Sequence, residues 1–308
     1  MADAGFSELR PLQFAGVLAP EVGNLDAERL ASEIVSEFPP ATESKSSPDK
    51  MRRWIDRITH FLGQVGDEKR LDDCAVELGV QQPDLHLVRL PEGKRFLAHQ
   101  LLDEGLNRRT YRAIRAVSDF MEREWLDKLV RDVSFTWVSS EAAIGLLEFG
   151  DVGEGLLVVL NARSPFTADE YLDRATCRGG YWREVAGIAI GEDAVTELVN
   201  HYENAVASLH GIEEPWTLDD IQPRDEPSFL VVDPAGVRLD SVLSALRIIR
   251  DRYPWVVVIL LVGTITPHED LLSEWGSEHI KFLTPQLQPG EEQSARRSVR
   301  DLRSLLQR

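Results

Sequence analysis

Residues 229–236 read FLVVDPAG and residues 256–262 read VVVILLV. Both begin with short apolar runs rich in β-branched side chains, and neither run alternates polar with apolar positions. That pattern belongs to strands buried on both faces, as in a parallel sheet. Between them, Leu239, Val242, Leu243, Leu246 and Ile249 fall at helical spacing within Leu239 to Arg252. Toward the C-terminus, Thr266-Pro267-x-Glu269 is a capping box with Pro at the first helical position. The helix it opens holds Leu271, Leu272 and Trp275. The strand IKFL (Ile280 to Leu283) and a last helix to Arg308 follow. Toward the N-terminus, VAGIAI (Val185 to Ile190) is a strand. It leads into a helix carrying Val195, Leu198, Val199, Tyr202, Val206 and Leu209. Strands alternating with helices predict right-handed crossovers. The expected fold class is α/β, with a doubly wound parallel sheet over residues 181–308.

Ligands of such a sheet gather at the carboxyl ends of its strands. Three acidic residues fall there: Glu192 and Asp193 after VAGIAI, and Asp233 after FLVV. Converging carboxylates repel unless a cation joins them, and three oxygen donors suit Mg²⁺. One carboxylate could also attack a phosphoryl donor. No P-loop and no dinucleotide-binding glycine fingerprint is present.

The segment from about Glu184 to Arg308 resembles a response-regulator receiver domain, best from Phe229 onward. GED supplies Glu192 and Asp193 as the acidic pair, and FLVVDPAG supplies Asp233 as the phosphoacceptor candidate. RYPWVVVILLVG resembles the run through the fourth strand. HIKFLTPQL resembles the fifth, with Phe282 in the switch-aromatic place. The resemblance implies a flavodoxin-like sheet, Mg²⁺ held by Glu192, Asp193 and Asp233, and a homodimer formed through this domain. Two family positions differ. Val262 stands in the Thr/Ser place, with Thr264 two residues on, and Pro285 stands in the Lys place. Losing that cation and that hydroxyl weakens a phosphoryl site, so the resemblance points to a pseudo-receiver.

The first 180 residues read as an α-rich α+β domain. Leu12 to Ala19 is a strand candidate, and Leu25 to Phe38 a helix capped by Asn24. A Pro/Ser-rich loop covers residues 39–48. Ser47-Pro48 then opens a helix bearing Trp54, Ile55, Ile58, Phe61 and Leu62. Tyr111, Ile114, Val117, Met121, Trp125 and Leu129 predict a further long amphipathic helix. Leu156 to Leu160 is a short strand, and Thr167-x-x-Glu170 a capping box. Residues 71–90 have a helix-turn-helix outline, with Gln81, Gln82, His86 and Arg89 in the recognition half. Pro83 cuts into that half. Cys177 lies near Arg174 and Arg178, with His201 or His210 as a base, which defines a thiol-enzyme alternative.

Charge narrows the function classes. Lys and Arg number 34 against 52 Asp and Glu, a net charge of −18. That opposes a protein that coats nucleic acid and one that docks on an anionic membrane. Half of the deficit, −9, lies in residues 191–226, whereas the last fifteen residues carry +4. No apolar run is long enough to span a bilayer. The N-terminus lacks a signal-peptide pattern. Two cysteines, Cys74 and Cys177, are too few for a disulfide framework. The expected protein is cytoplasmic, bacterial and non-catalytic. It uses an atypical receiver to bind a protein partner in signalling or assembly, and nucleic acid is not an expected partner. The alternatives are a transcriptional regulator reading DNA through residues 71–90, and a thiol enzyme using Cys177.

Overall fold

A computed structural model of the chain describes residues 48–147, 156–176, 181–186, 194–212, 228–234, 236–263, 275–276 and 279–307. The expectations placed on 12–19, 25–38, Cys177, Glu192, Asp193, Thr264 and the 266–269 capping box lie outside the described residues. The chain divides into two compact units. One is Met1–Val138 with Gln293–Arg308, and the other is Ser139–Glu292.

The described residues of the first unit form helices and the turns between them. These are α1 (Pro48–Gly63), α2 (Glu68–Glu77), a 3₁₀ segment (Gln82–Arg89), α3 (Pro91–Glu104), α4 (Arg108–Ser118) and α5 (Arg123–Val133). Pro48 stands at the first position of α1, as the Ser47-Pro48 reading expects. Trp54, Ile55, Ile58, Phe61 and Leu62 bury one face of that helix. Trp54 stacks on Phe135 with ring centroids 5.0 Å apart, and Phe61 tilts against Trp125 at 5.6 Å. Asp67 and Asn107 cap α2 and α4 by accepting from the free backbone amides of the first turn. At Gly93 a Cβ would lie 2.0 Å from the Leu87 carbonyl oxygen, so only glycine lets α3 approach the 3₁₀ segment this closely.

The single long helix expected through Tyr111 and Leu129 is two helices, α4 and α5. Ile114, Val117, Met121 and Leu129 are buried on either side of the break, so the apolar period persists without the backbone helix. Ser118 Oγ donates to the Arg115 carbonyl at 2.9 Å, a local bond that competes with helix continuation.

The second unit holds α6 (Ser140–Leu147), β1 (Leu157–Leu160), α7 (Pro165–Thr176), β2 (Trp182–Ala186), α8 (Ala194–Leu209), β3 (Ser228–Val232), α9 (Leu239–Arg252), β4 (Val256–Leu261) and β5 (Ile280–Phe282). A last helix, α10 (Glu291–Ser304), begins at its end. All strand pairings are parallel, and the order is β2-β3-β4-β1-β5. The α/β class is as expected. The inner strands β1, β3 and β4 are buried along their whole length, which is why their sequences show no alternation. One face of the sheet contributes Leu157, Val159, Leu230, Val232, Val258 and Leu260 to a core. Leu198, Tyr202 and Val206 of α8 and Val242, Leu246 and Ile249 of α9 complete it.

Two features differ from the sequence reading. The boundary expected at 180/181 falls inside this unit, because Leu157–Leu160 pairs with Val258–Leu261 on one side and Ile280–Phe282 on the other. A receiver has the order 2-1-3-4-5, in which its fourth and fifth strands are neighbours. Among the described strands β1 lies between β4 and β5, so this order differs from that of a receiver. The physical reason is that a short, fully buried strand carries no mark of its partners. Leu157–Leu160 is as apolar as β3 and β4 and inserts where both its edges find pairing.

Candidate functional site

The strand order fixes where a ligand crevice should lie. The chain leaves β1 for β2 on one side of β4, and leaves β4 for β5 on the other side of β1. Neighbouring strands whose connections run in opposite directions in this way define a topological switch point at their carboxyl ends. The turn after β1 is Asn161-Ala162-Arg163-Ser164, and α7 follows from Pro165. The amide of Gly263, just past β4, donates to the Ala162 carbonyl at 3.0 Å, which ties the two strand ends together.

The sequence places a helix start at Thr167. The structure starts the helix earlier, at Ser164-Pro165, the same pair type that opens α1. Thr167 is fully buried inside the first turn, and Glu170 is buried within the helix body. The Thr167 hydroxyl donates instead to the carboxylate of Glu292. That carboxylate also accepts from the backbone amides of Ser164 at 3.1 Å and Arg163 at 3.2 Å. Backbone amides at a helix N-terminus, reinforced by the helix dipole, favour an anion. In this chain that anion position is taken by a side chain of the chain itself.

A second contact covers the same strand end. The Asn161 amide group donates to the Leu287 carbonyl at 2.8 Å, and its oxygen accepts from the Leu287 amide at 3.0 Å. Gln288 N donates to Glu291 at 2.7 Å, which fixes the turn into α10. Residues 287–292 are thus fastened over the carboxyl end of β1 at two places. Spacing rules could not reveal this arrangement, since the partners lie 125 to 129 residues apart.

Asp233 follows β3 at the carboxyl edge and is half-buried. The turn after it is closed by the Val237 amide donating to the Pro234 carbonyl at 2.9 Å. Gly236 takes a φ of +86° in that turn, a conformation that favours glycine. The other two members of the proposed Mg²⁺ trio, Glu192 and Asp193, lie outside the described residues. Among the described residues no group of three metal-competent side chains occurs. Phe282 is half-buried against the sheet core, and Pro285 follows a cis peptide bond on an exposed turn.

The helix-turn-helix outline resolves differently. Its first half is α2, but the recognition half, Gln82–Arg89, is 3₁₀ with Pro83 at its start. A 3₁₀ segment presents side chains in eclipsed rows, unlike the α-helix that fits the major groove. Arg89 is engaged by Asp72 and Glu68, with N–O distances of 2.7 Å to each. Gln81, Gln82 and His86 are exposed. Cys74 is fully buried, and burial together with Glu77 pushes its thiol up to about 12, so it is inert at neutral pH.

No family model, no curated protein and no solved structure matches the chain. No helix among the described residues is long and apolar enough to cross a membrane.

Proposed function

We propose that this chain is a non-catalytic signalling or assembly protein whose sheet-bearing unit acts as a protein-interaction module. The observation that supports the reading is the Glu292 carboxylate seated on the amides of Arg163 and Ser164 and the hydroxyl of Thr167. Open α/β sheets hold anionic ligands at this place. An internal carboxylate there competes with any phosphate, and the loop carries neither the glycines nor the lysine of a phosphate cradle. The receiver likeness adds Asp233 as a surface carboxylate in a strand–turn segment, with Pro285 where a receiver has lysine. The protein partner, and a homodimer through this unit, belong to the same proposal.

The test uses the full chain. Titration calorimetry with Mg-ATP and Mg-GTP is expected to give no saturable heat. Intact mass after acetyl phosphate and Mg²⁺ is expected to be unchanged. A mass gain that disappears in Asp233→Ala would replace this reading with a working phosphoryl switch. Saturable nucleotide binding would replace it with a nucleotide-dependent protein.

Among the described residues the module offers two apolar anchors, Phe166 on α7 and Trp182 on β2, each 42% exposed. Exposed aromatics of this size are favoured as interface anchors. Phe166→Ala and Trp182→Ala are each expected to lower folding stability by about 1–2 kcal/mol, because more than half of each ring is buried. Urea unfolding checks this, and a larger loss would mean that the side chains belong to the core.

A further inference from the structure

Helix α4 carries four arginines, Arg108, Arg109, Arg112 and Arg115, and no acidic residue. Its other face is fixed by packing: Thr110, Ala113, Ile114 and Val117 are buried, and α2 is its principal neighbour. Arg108, Arg112 and Arg115 are therefore turned outward, and all three are exposed. They stand at i, i+4 and i+7, one row along the helix, with half-buried Tyr111 beside them. Arg112 has Glu77 at 3.7 Å, a solvent-exposed pair. The guanidinium groups of Arg108 and Arg115 have no partner among the described residues.

Apart from Arg115, which suits the dipole in the last turn, the row works against the helix that bears it. Arg108 and Arg109 occupy the first turn, where the helix dipole disfavours cations. Arg108 with Arg112, and Arg112 with Arg115, are like charges at neighbouring positions on the helix surface, which are destabilising. A solvated face in a chain of −18 needs no such concentration of one sign. Local choices that oppose the fold mark functional positions.

We propose that the Arg108–Arg112–Arg115 row of α4 is a docking surface for an Asp/Glu-rich segment of a partner protein. Charge complementarity selects an anionic partner, and guanidinium groups pair with carboxylates in fixed geometry. The row covers two helical turns, about 10 Å of axis, which matches a short acidic peptide. Nucleic acid would need a longer track of cations, and the net charge of −18 repels an extended polyanion. This proposal concerns the helical unit and stands apart from the reading of the sheet unit.

The test measures binding of a fluorescein-labelled oligo-glutamate peptide to the full chain by anisotropy at low salt. An oligothymidylate of equal charge is the comparison. The peptide is expected to bind better than the oligothymidylate, and Arg108→Glu/Arg115→Glu is expected to weaken it at least about tenfold. The same variant should melt no lower than the parent, because Arg108→Glu relieves the dipole conflict in the first turn and both changes turn like-charge pairs with Arg112 into opposite-charge ones, which outweighs the loss of Arg115 from the last turn. Equal peptide affinity in parent and variant would overturn the proposal, as would tighter binding of the oligothymidylate. A lowered melting temperature would overturn its premise that the row opposes the helix.

Discussion

Glu292→Ala is expected to lower folding stability by about 2–3 kcal/mol, the scale of losing a charged acceptor that serves several donors. The substitution leaves the buried Thr167 hydroxyl and the amides of Arg163 and Ser164 without their acceptor. It also removes a negative charge from the N-terminus of α7, where the dipole favours one. Glu292→Gln keeps an acceptor oxygen but not the charge, so it should recover roughly half of the loss. Urea denaturation measures the total, and hydrogen exchange at Arg163 and Ser164 localises it. A Glu292→Ala protein within about 0.5 kcal/mol of the parent would mean that the contact is a surface pair of ordinary weight.

Acidification supplies the second large effect, through His99 on α3. Its ring is 8% exposed, and neither nitrogen has a hydrogen-bond partner among the described residues. Burial, and then the Arg95 guanidinium one turn away, push its pKa down to about 4, against a smaller upward pull from Asp56. Arg95 itself pairs with Asp56 of α1. Above pH 6.5 the imidazole is neutral in both the folded and the unfolded chain, and the full stability is present. Below 6.5 the unfolded chain takes up a proton that the folded chain refuses until about 4. Stability is therefore lost as pH falls through that window, by about 3 kcal/mol at about 1.4 kcal/mol per unit. His99→Phe should remove this part of the acid dependence. At pH 7 it should be no less stable, because an apolar ring replaces two unsatisfied nitrogens. Parallel pH–stability curves for parent and variant between 6.5 and 4 would contradict the assignment.

Much of the fold was legible because burial leaves a periodic trace. The face of α1, the apolar runs of β1, β3, β4 and β5, and the helical stripes of α8 and α9 follow from spacing alone. Their neighbours did not follow. Nothing in Leu157–Leu160 says that it pairs with Val258–Leu261, because every buried strand of this length is equally apolar. The residues around Tyr111 to Leu129 keep their period across a break at which Ser118 makes a local bond, so periodicity overstated one helix. The 3₁₀ segment after Gln81 escaped because Pro83 was read as damage to an α-helix rather than as the start of a tighter one.

The candidate site was legible in location and not in content. Reading βα turns led to carboxyl strand ends, where Asp233 does lie. The group on the amides of the β1–α7 turn is Glu292, more than 120 residues away in sequence. It belongs to a segment read only as the entry to the last helix. Long-range polar contacts leave no spacing signature, and a single glutamate is indistinguishable from its many solvated neighbours.

The internal position of β1, between β4 and β5, has a consequence for how the chain reaches its native state. Leu157 finds its first sheet neighbour at Val258 and its second at Ile280, so about 100 residues separate the strand from any pairing edge. A ribosome adding roughly 5–20 residues per second makes β1 wait several seconds, with both edges open, before its partners emerge. Pairings this distant in sequence also close slowly once available. A chain arrested before residue 280 would hold a fully apolar strand with one edge unpaired, the state from which parallel sheets aggregate.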